Sequence, residues 1–490
     1  MDALATVLTT LVASPKQHER LLRLHTALGP DVLVAETLSG FESIDDGFRL
    51  ELTALSVDAH LSLDELLGQP VLVELLTADS RSSLRPFHGH VTTFERLGSN
   101  GGLARYRLVV EPWLAFLRQR QDSYVFQDKT VVEIVEDVFA DYAEAGALVP
   151  AWRWELADRS LYPKRSLTTQ YQESDHAFLS RLLAEEGIFG WFEHAGDTAS
   201  ETFGSHTLVL ADHMDAFADT GAVRYHRSDV TERADSIQHW STARRWQTGR
   251  LARASWDYRS LGLRPASADG ETFGDVTPED SDTAGPYGWH DSAEGERGAQ
   301  QQLEALQVEA HRITGAGSWR RLAPGTRFEL TQHPALRDAD VRNFTCLRVS
   351  HAARNNLGAE IHAALEQALG PVALPGADLP EPLAGLATTT AQHAIEPLSP
   401  RERGRGEGRD AQVVPDAATN EEPTTFYRNR FTVIPAAVPY RPSTVDGHGL
   451  RLHPKPTVHG TQSAIVVSDG APVQTDRDHR IKVQFAWQRG

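Results

Sequence analysis

Cysteine is nearly absent: Cys346 is the only one in 490 residues. No intramolecular disulfide can form, and neither a thiolate zinc site nor an iron–sulfur cluster can be assembled, so the fold stands on packing. Long uninterrupted apolar runs are missing too, which leaves no stretch that reads as a membrane-spanning helix. The opening "MDALATVLTTLVASPK" carries Asp2 where a secretory signal carries lysine or arginine. The expectation is a protein made and folded in the cytoplasm. Positive charge is in deficit, with 48 Lys and Arg against 67 Asp and Glu, a net charge of −19. Nucleic acid and anionic membranes want a basic face, so neither is an expected partner.

Catalytic motifs are likewise missing. There is no His-Glu-x-x-His helix, no Gly-x-Ser-x-Gly elbow, no phosphate-cradling Gly-rich loop with lysine and no dinucleotide fingerprint. Ser174-Asp175-His176 contains the three residue types of a hydrolytic triad, but neighbours on one helical turn point in different directions, and capping explains them better. His88-Gly-His90 places two imidazoles on one face of a strand without an evident third ligand, and reads as structural. The acidic pairs Glu185–Glu186 and Glu421–Glu422 read as solvated faces. Trp113, Trp191, Trp240, Trp246 and Trp256 read as core or interface anchors. No residue is assigned a catalytic, cofactor or metal role.

What the chain does have is length for about three domains and 40% hydrophobic residues. From Leu22 to Val110 the texture is β: Phe48, Leu50 and Leu52 alternate in one segment, and Val71, Val73 and Leu75 in another. "HVTTFERLGSNGGLARYRLVV" reads as a long hairpin turning at Gly98–Gly102. Thr130 and Glu133 form a capping box ahead of Ile134, Val135, Val138 and Phe139. Ser174 caps a second helix with Asp175 in its first turn and Gly187 at its stop. A third helix is expected through Ala299, Leu303, Leu306, Ala310 and Ile313. The arginine-rich "ARRWQTGRLARASWDYRSLGLR" precedes the acidic "DGETFGDVTPEDSDTAGPYGWHDSAEGE". They read as a basic strand pair and a solvated acidic loop, or alternatively as complementary edges of an oligomer. Residues 357–424 are rich in Pro, Gly, Ala and charge, and read as a flexible insertion with a brief helix at "AEIHAALEQAL". The last segment, "DHRIKVQFAWQRG", alternates as a strand with nothing after it to pair.

Five blocks, "LLGQPVLVELL", "PFHGHVTTFERL", "PWLAFLRQRQDSYVFQDKTVVEIVEDVFADY", "QYQESDHAFLSRLLAEEGIFGWFEH" and "VHGTQSAIVVSDGAPVQTDRDHRIKVQFAWQRG", resemble in order those of the VgrG proteins, spike-tip components of type VI secretion systems. The likeness spans about 22–356 and 426–490. The residues that carry it are Pro112, Trp113, Gln170, Tyr171, Glu173, Ser174, Asp175, Phe178, Arg181, Leu182, Gly187, Val483, Phe485 and Trp487. The resemblance implies a mainly β chain with α elements. After an N-terminal extension (1–21) come two phage-hub-like β-barrel domains (22–150 and 151–356), then the insertion and the start of an OB-like barrel (425–490). It further implies a non-enzymatic homotrimer docking on a hexameric Hcp tube, with a PAAR-type tip beyond a needle, effector cargo, and release by the apparatus without a cleavable signal. It also implies that a fuller protein continues past Gly490. His479 and Gln488 depart from the family's more usual glycine and aspartate, and the insertion is longer than the usual link. Two other readings stay open: the hub of a contractile phage or phage-derived particle, and a hydrolase whose site no motif reveals.

Overall fold

The computed structural model describes residues 20–488 except 80–82, 101, 144–147, 228–233, 258, 273–274, 287, 337–341, 373–426, 446–449, 469, 471–473 and 477–478. Nearly all of the expected N-terminal extension, most of the expected insertion, and Glu421 and Glu422 lie outside the described residues.

The first six strands alternate as their sequences demand. They are β1 (Leu22–His25), β2 (Val34–Ser43), β3 (Gly47–Ser56), β4 (Pro70–Leu76), β5 (Leu84–Asn100) and β6 (Leu103–Glu111). They pair in the order β1-β4-β5-β6-β3-β2. Leu50, Leu52, Val71, Val73 and Leu75 are fully buried on one face. The expected hairpin is β5–β6, and Gly102 supplies its positive φ of 131°. Gly98 does not share that conformation.

Helices cover the inner face. After β7 (Gln121–Phe126), α1 (Val131–Ala140) starts with the expected capping box and buries Ile134, Val135, Val138 and Phe139. Next come β8 (Trp152–Glu155), β9 (Thr168–Ser174) and α2 (Asp175–Glu185), followed by β10 (Phe189–Gly196) and β11 (Gly204–Ala211). The second half adds β12 (Ala218–Arg224), β13 (Ile237–Thr242), β14 (Arg250–Asp257), β15 (Gly262–Asp269), β16 (Glu279–Pro286) and α3 (Ser292–Val308). It continues through β17 (Ile313–Gly317), β18 (Thr326–Thr331), β19 (Asn343–Arg354), α4 (Ala359–Leu369) and β20 (Tyr427–Pro435). Two short strands, β21 (Ala464–Val466) and β22 (Val483–Phe485), come last.

One strand ties the halves into a twelve-stranded sheet whose path, among the described residues, does not close on itself. β19 gives β20 its whole length along one edge, and divides the other edge between β18 (at Asn343–Thr345) and β2 (at Arg348–Arg354). The changeover is a bulge at Leu347, which turns that side chain into a different apolar cluster from Cys346 and Val349. The freed Leu347 carbonyl accepts the Ile44 amide at 2.9 Å.

Four expectations need correcting. The third helix begins earlier, capped by Asp291, and ends before Ile313, which opens β17. The acidic stretch is partly the strand β16, lying parallel to β14, where Arg253 pairs with Asp280 at 3.0 Å and Arg250 with Glu279 at 3.7 Å. Two carboxylates of that strand are therefore met within the chain. The terminal strand is not an orphan: β22 pairs with β21. The insertion does not begin at Leu357 either, because α4 docks on the first half-sheet. Leu365 packs with Val34, Leu55 and Leu103, and buried Arg105, paired bidentately with Glu36 at 2.8 and 2.9 Å, donates to the Leu369 and Gly370 carbonyls at the helix end. Composition missed this because one apolar stripe and one buried arginine suffice.

Leu365→Ala should therefore cost about 2–4 kcal/mol in chemical denaturation and speed amide exchange in residues 361–369. Unchanged exchange would show that the helix does not depend on this contact.

Candidate functional site: a buried charge joint beside an open cleft

The block Gln170–Gly187 builds the β9–α2 junction. Ser174 accepts from the Ala177 amide and caps α2. The Ile188 and Gly187 amides bond to the Leu183 and Ala184 carbonyls, with Gly187 at φ 70°, so the helix ends as expected. Gln170 donates to Asp175 at 2.8 Å, Tyr142 to its other oxygen at 2.7 Å, and Arg181 grips Glu173 with two bonds of 2.9 and 2.8 Å. Burial, with the Asp175 carboxylate beside it, pushes the Tyr142 hydroxyl pKa up. Phe178 stacks on Phe126, while Leu182 is fully buried. Thus Ser174, Asp175 and His176 form no relay. Tyr171 meets the chain's last strand instead: Gln462 donates to its hydroxyl at 2.8 Å and accepts from the Trp487 indole at 3.0 Å, with Trp487 against the Tyr171 ring. Val483 and Phe485 are half-buried, and Phe485 stacks on Trp487. His479 takes φ 60°, a conformation that favours glycine, and the Gln488 side chain caps the Phe485 amide at 2.7 Å. Glu185 and Glu186 are not simply solvated; Arg165 pairs with both.

Beneath the β2–β19 seam lies a buried charge joint that motif reading did not find. Glu42 on β2 pairs with Arg85 on β5 and accepts from His351 Nε2 on β19 at 2.8 Å. His351 Nδ1 in turn accepts from the Tyr427 hydroxyl on β20 at 2.8 Å. Arg85 also donates to the Arg320 and Leu322 carbonyls at 2.8 and 2.6 Å. Burial alone would raise the Glu42 pKa, but Arg85 and the imidazole bonds hold it well below the usual range. The carboxylate is thus ionised and tied to both half-sheets.

His88 and His90 adjoin two imidazoles from distant strands, His194 on β10 and His206 on β11. The Trp113 amide, next to Pro112, donates to His206 Nε2 at 2.9 Å, so the His206 proton sits on Nδ1. That nitrogen lies 2.8 Å from His88 Nδ1, which must accept, leaving His88 Nε2 to donate to the Thr202 carbonyl at 2.8 Å. Every link uses neutral rings. Among the described residues no cluster of His, Cys, Asp or Glu is arranged to hold a metal. Trp113 and Trp191 are core; Trp246 and Trp256 are exposed. Cys346 is fully buried, and burial pushes its thiol pKa up.

On the outer side of the seam opens a cleft of about 1380 Å³, walled by α2 and by Tyr440, Pro442, Ser443, Leu452 and His453. At its floor the Asp45 carboxyl accepts from the Tyr440 hydroxyl (2.7 Å) and the Gly190 amide (3.0 Å). Burial raises its pKa to about 7.

A family model described as the phage tail baseplate hub (GPD) matches residues 41–357, a span that takes in Glu42, Arg85 and His351 of the joint and most of both half-sheets. The chain belongs to the phage tail baseplate hub family. Its relatives are VgrG spike proteins. It is 28% identical over 485 residues to the type VI secretion system spike protein VgrG1b of Pseudomonas aeruginosa, covering 96% of this chain and 53% of that protein. The figures for VgrG1a of the same organism are 30% over 348 residues, 67% and 49%. The actin cross-linking toxin VgrG1 of Vibrio cholerae is 23% identical, covering 94% of this chain and 36% of that protein. The chain spans about half the length of the spike proteins it matches. A solved E. coli component of the type VI secretion system, described as similar to the T4 bacteriophage tail proteins gp27 and gp5, shares the fold at a TM-score of 0.58 and 19% identity, covering 96% of this hub chain and 90% of that one.

Two measurements probe the joint. Glu42→Gln should destabilise the hub by about 3–5 kcal/mol because Arg85 stays buried and unpaired, and adding Arg85→Met should recover part of that loss. Acid should weaken the fold as well. Burial holds His88 and His176 near a pKa of about 4, and His206 and His351 below the ordinary histidine value. Below about pH 6.5 the unfolded chain therefore binds protons that the folded one refuses, and stability falls with pH. Asp45, raised to about 7, acts oppositely but supplies only one proton. Urea titrations from pH 7 down to 5 should show a loss steeper than about 1.4 kcal/mol per pH unit, and a flat profile would contradict the neutral relay.

Proposed function

We propose that this chain is the structural base of a type VI secretion spike, a homotrimer that adapts a hexameric Hcp tube to a puncturing needle and its PAAR-type tip. The observation that carries this reading is the hub-family match across most of both six-stranded halves. Three chains would present six such halves to a sixfold partner, which resolves the mismatch between a threefold spike and a sixfold tube. Residues 425–490 are the connector into an OB-like barrel, seated on the base through Tyr171, Gln462 and Trp487. The work comes from contraction of the surrounding sheath, and this chain transmits it without catalysis. Effector activity belongs to other segments or to cargo, and the protein leaves the cell through the apparatus. The secretion reading is preferred to a phage particle because the matches reaching 96% of the chain are to secretion spike proteins.

Light scattering on this chain and on a form extended through the needle tests the proposal, together with co-sedimentation with Hcp hexamers. The extended form should weigh three times its chain mass and retain the tube. A monomer that leaves Hcp in solution would overturn it.

A further inference from the structure

The outer face of the seam has a composition unlike the rest of this acidic chain. His239, Ala316, Arg430, Ser350, Phe41 and Arg49 fall in one cross-strand row over β13, β17, β20, β19, β2 and β3. The adjacent row runs through Ser241, Thr314, Thr432 and Arg348. Six strands about 4.8 Å apart make a row of about 24 Å, and all these residues line the cleft. Small hydroxyl side chains keep the relief low, and the arginines stand out of it.

The charges do not cancel. Arg49 and Arg118 share the one carboxylate of Glu111, each at 3.2 Å. Asp46 is taken by Arg348 at 3.5 Å and Glu51 shares Arg107 with Glu95, so five arginines (Arg49, Arg118, Arg312, Arg348 and Arg430) line the cleft against three acids (Asp45, Asp46 and Glu51). Exposed Arg430 makes no ion pair among the described residues. The result is a local positive surplus in a chain of net −19. Facing it, Leu114, Leu183 and Leu452 are half-buried and give the groove an apolar rail.

We propose that this cleft is a docking groove for an acidic polypeptide segment of another protein, carboxylates on the arginine row and apolar side chains against the rail. About 1380 Å³ exceeds the usual small-molecule range of about 300–1,000 Å³, and the row accommodates about seven extended residues at 3.3 Å each. Ionised carboxylates bind arginine bidentately and gain from the local field. The groove is a property of one chain and does not depend on the spike assignment.

The test is fluorescence anisotropy with a labelled peptide of about ten residues, alternating glutamate with leucine and serine, titrated with the intact chain at low and high salt. Binding should weaken with salt and drop roughly tenfold when glutamine replaces glutamate. Arg430→Glu should cost a further roughly tenfold, with Arg430→Lys in between because it keeps the charge and loses the bidentate fork. Thermal melts identify a variant that has lost its fold, in which case Arg49→Glu, exposed on β3 at the far end of the same row, carries the same comparison. Equal affinity for the glutamine peptide, or no binding, would overturn the proposal. So would tighter binding of a labelled oligothymidylate, which would assign a phosphate polymer. Arginine variants that change the mass of the assembly would make the groove a contact between copies.

Discussion

The ion pair between Glu42 and Arg85 sits where the two half-sheets meet, and its surroundings explain why they are held as one body. The Glu42 side chain is 5% exposed and that of Arg85 11%, so each charge must be met almost wholly inside the protein. Arg85 spends its remaining donors on the backbone carbonyls of Arg320 and Leu322, and Glu42 spends its second role on His351. Those partners come from β2, β5, β19 and the approach to β18, and through Tyr427 from β20 as well. Parting the halves would take the His351 imidazole from Glu42 and the Arg320 and Leu322 carbonyls from Arg85, leaving the ion pair short of partners. The desolvation cost of that separation resists shear across the seam more sharply than apolar contact, which loosens in proportion to area.

A hub that holds two half-sheets as one body needs this property at the points where its parts join. The β9–α2 junction repeats the device, with Glu173–Arg181 and Gln170–Asp175 fixing how α2 leaves the strand. Close by, the Tyr171–Gln462–Trp487 contact ties the terminal ribbon to it. The bulge at Leu347 completes the arrangement. One strand can serve two partners on one edge because the extra residue shifts the ladder and gives Ile44 a carbonyl to bond.

Much of this was open to reading along the chain. Caps and stops are local, so Thr130, Ser174 and Gly187 declared themselves through short spacings. The joint was hidden because its members are scattered: Glu42 lies 43 residues from Arg85 and 309 from His351. A fainter signal did exist. Glu42 shares its strand parity with Leu38, Arg85 with Phe87, His351 with Val349, and Tyr427 with Phe431, so each polar group occupies an inward position of an otherwise apolar alternation. A polar residue at such a position announces a buried partner without naming it. His194 and His206 escaped for the same reason, since only the sheet brings them beside His88.

Why the seam is polar follows from register. β2 and β19 are long, and their outer faces are largely small and hydroxylated, so apolar pairing alone would discriminate poorly between neighbouring alignments. Sliding β2 by one residue turns Glu42 to the outer face, strips Arg85 and His351 of their shared acceptor and buries Phe41 in its place. Sliding by two preserves the face but carries the carboxylate about 6.6 Å along the strand, beyond hydrogen-bond reach of both. Only one alignment satisfies all of the buried groups together. The ion pair therefore does for the seam what an apolar contact of similar size could not, because its energy falls away within one residue of slip.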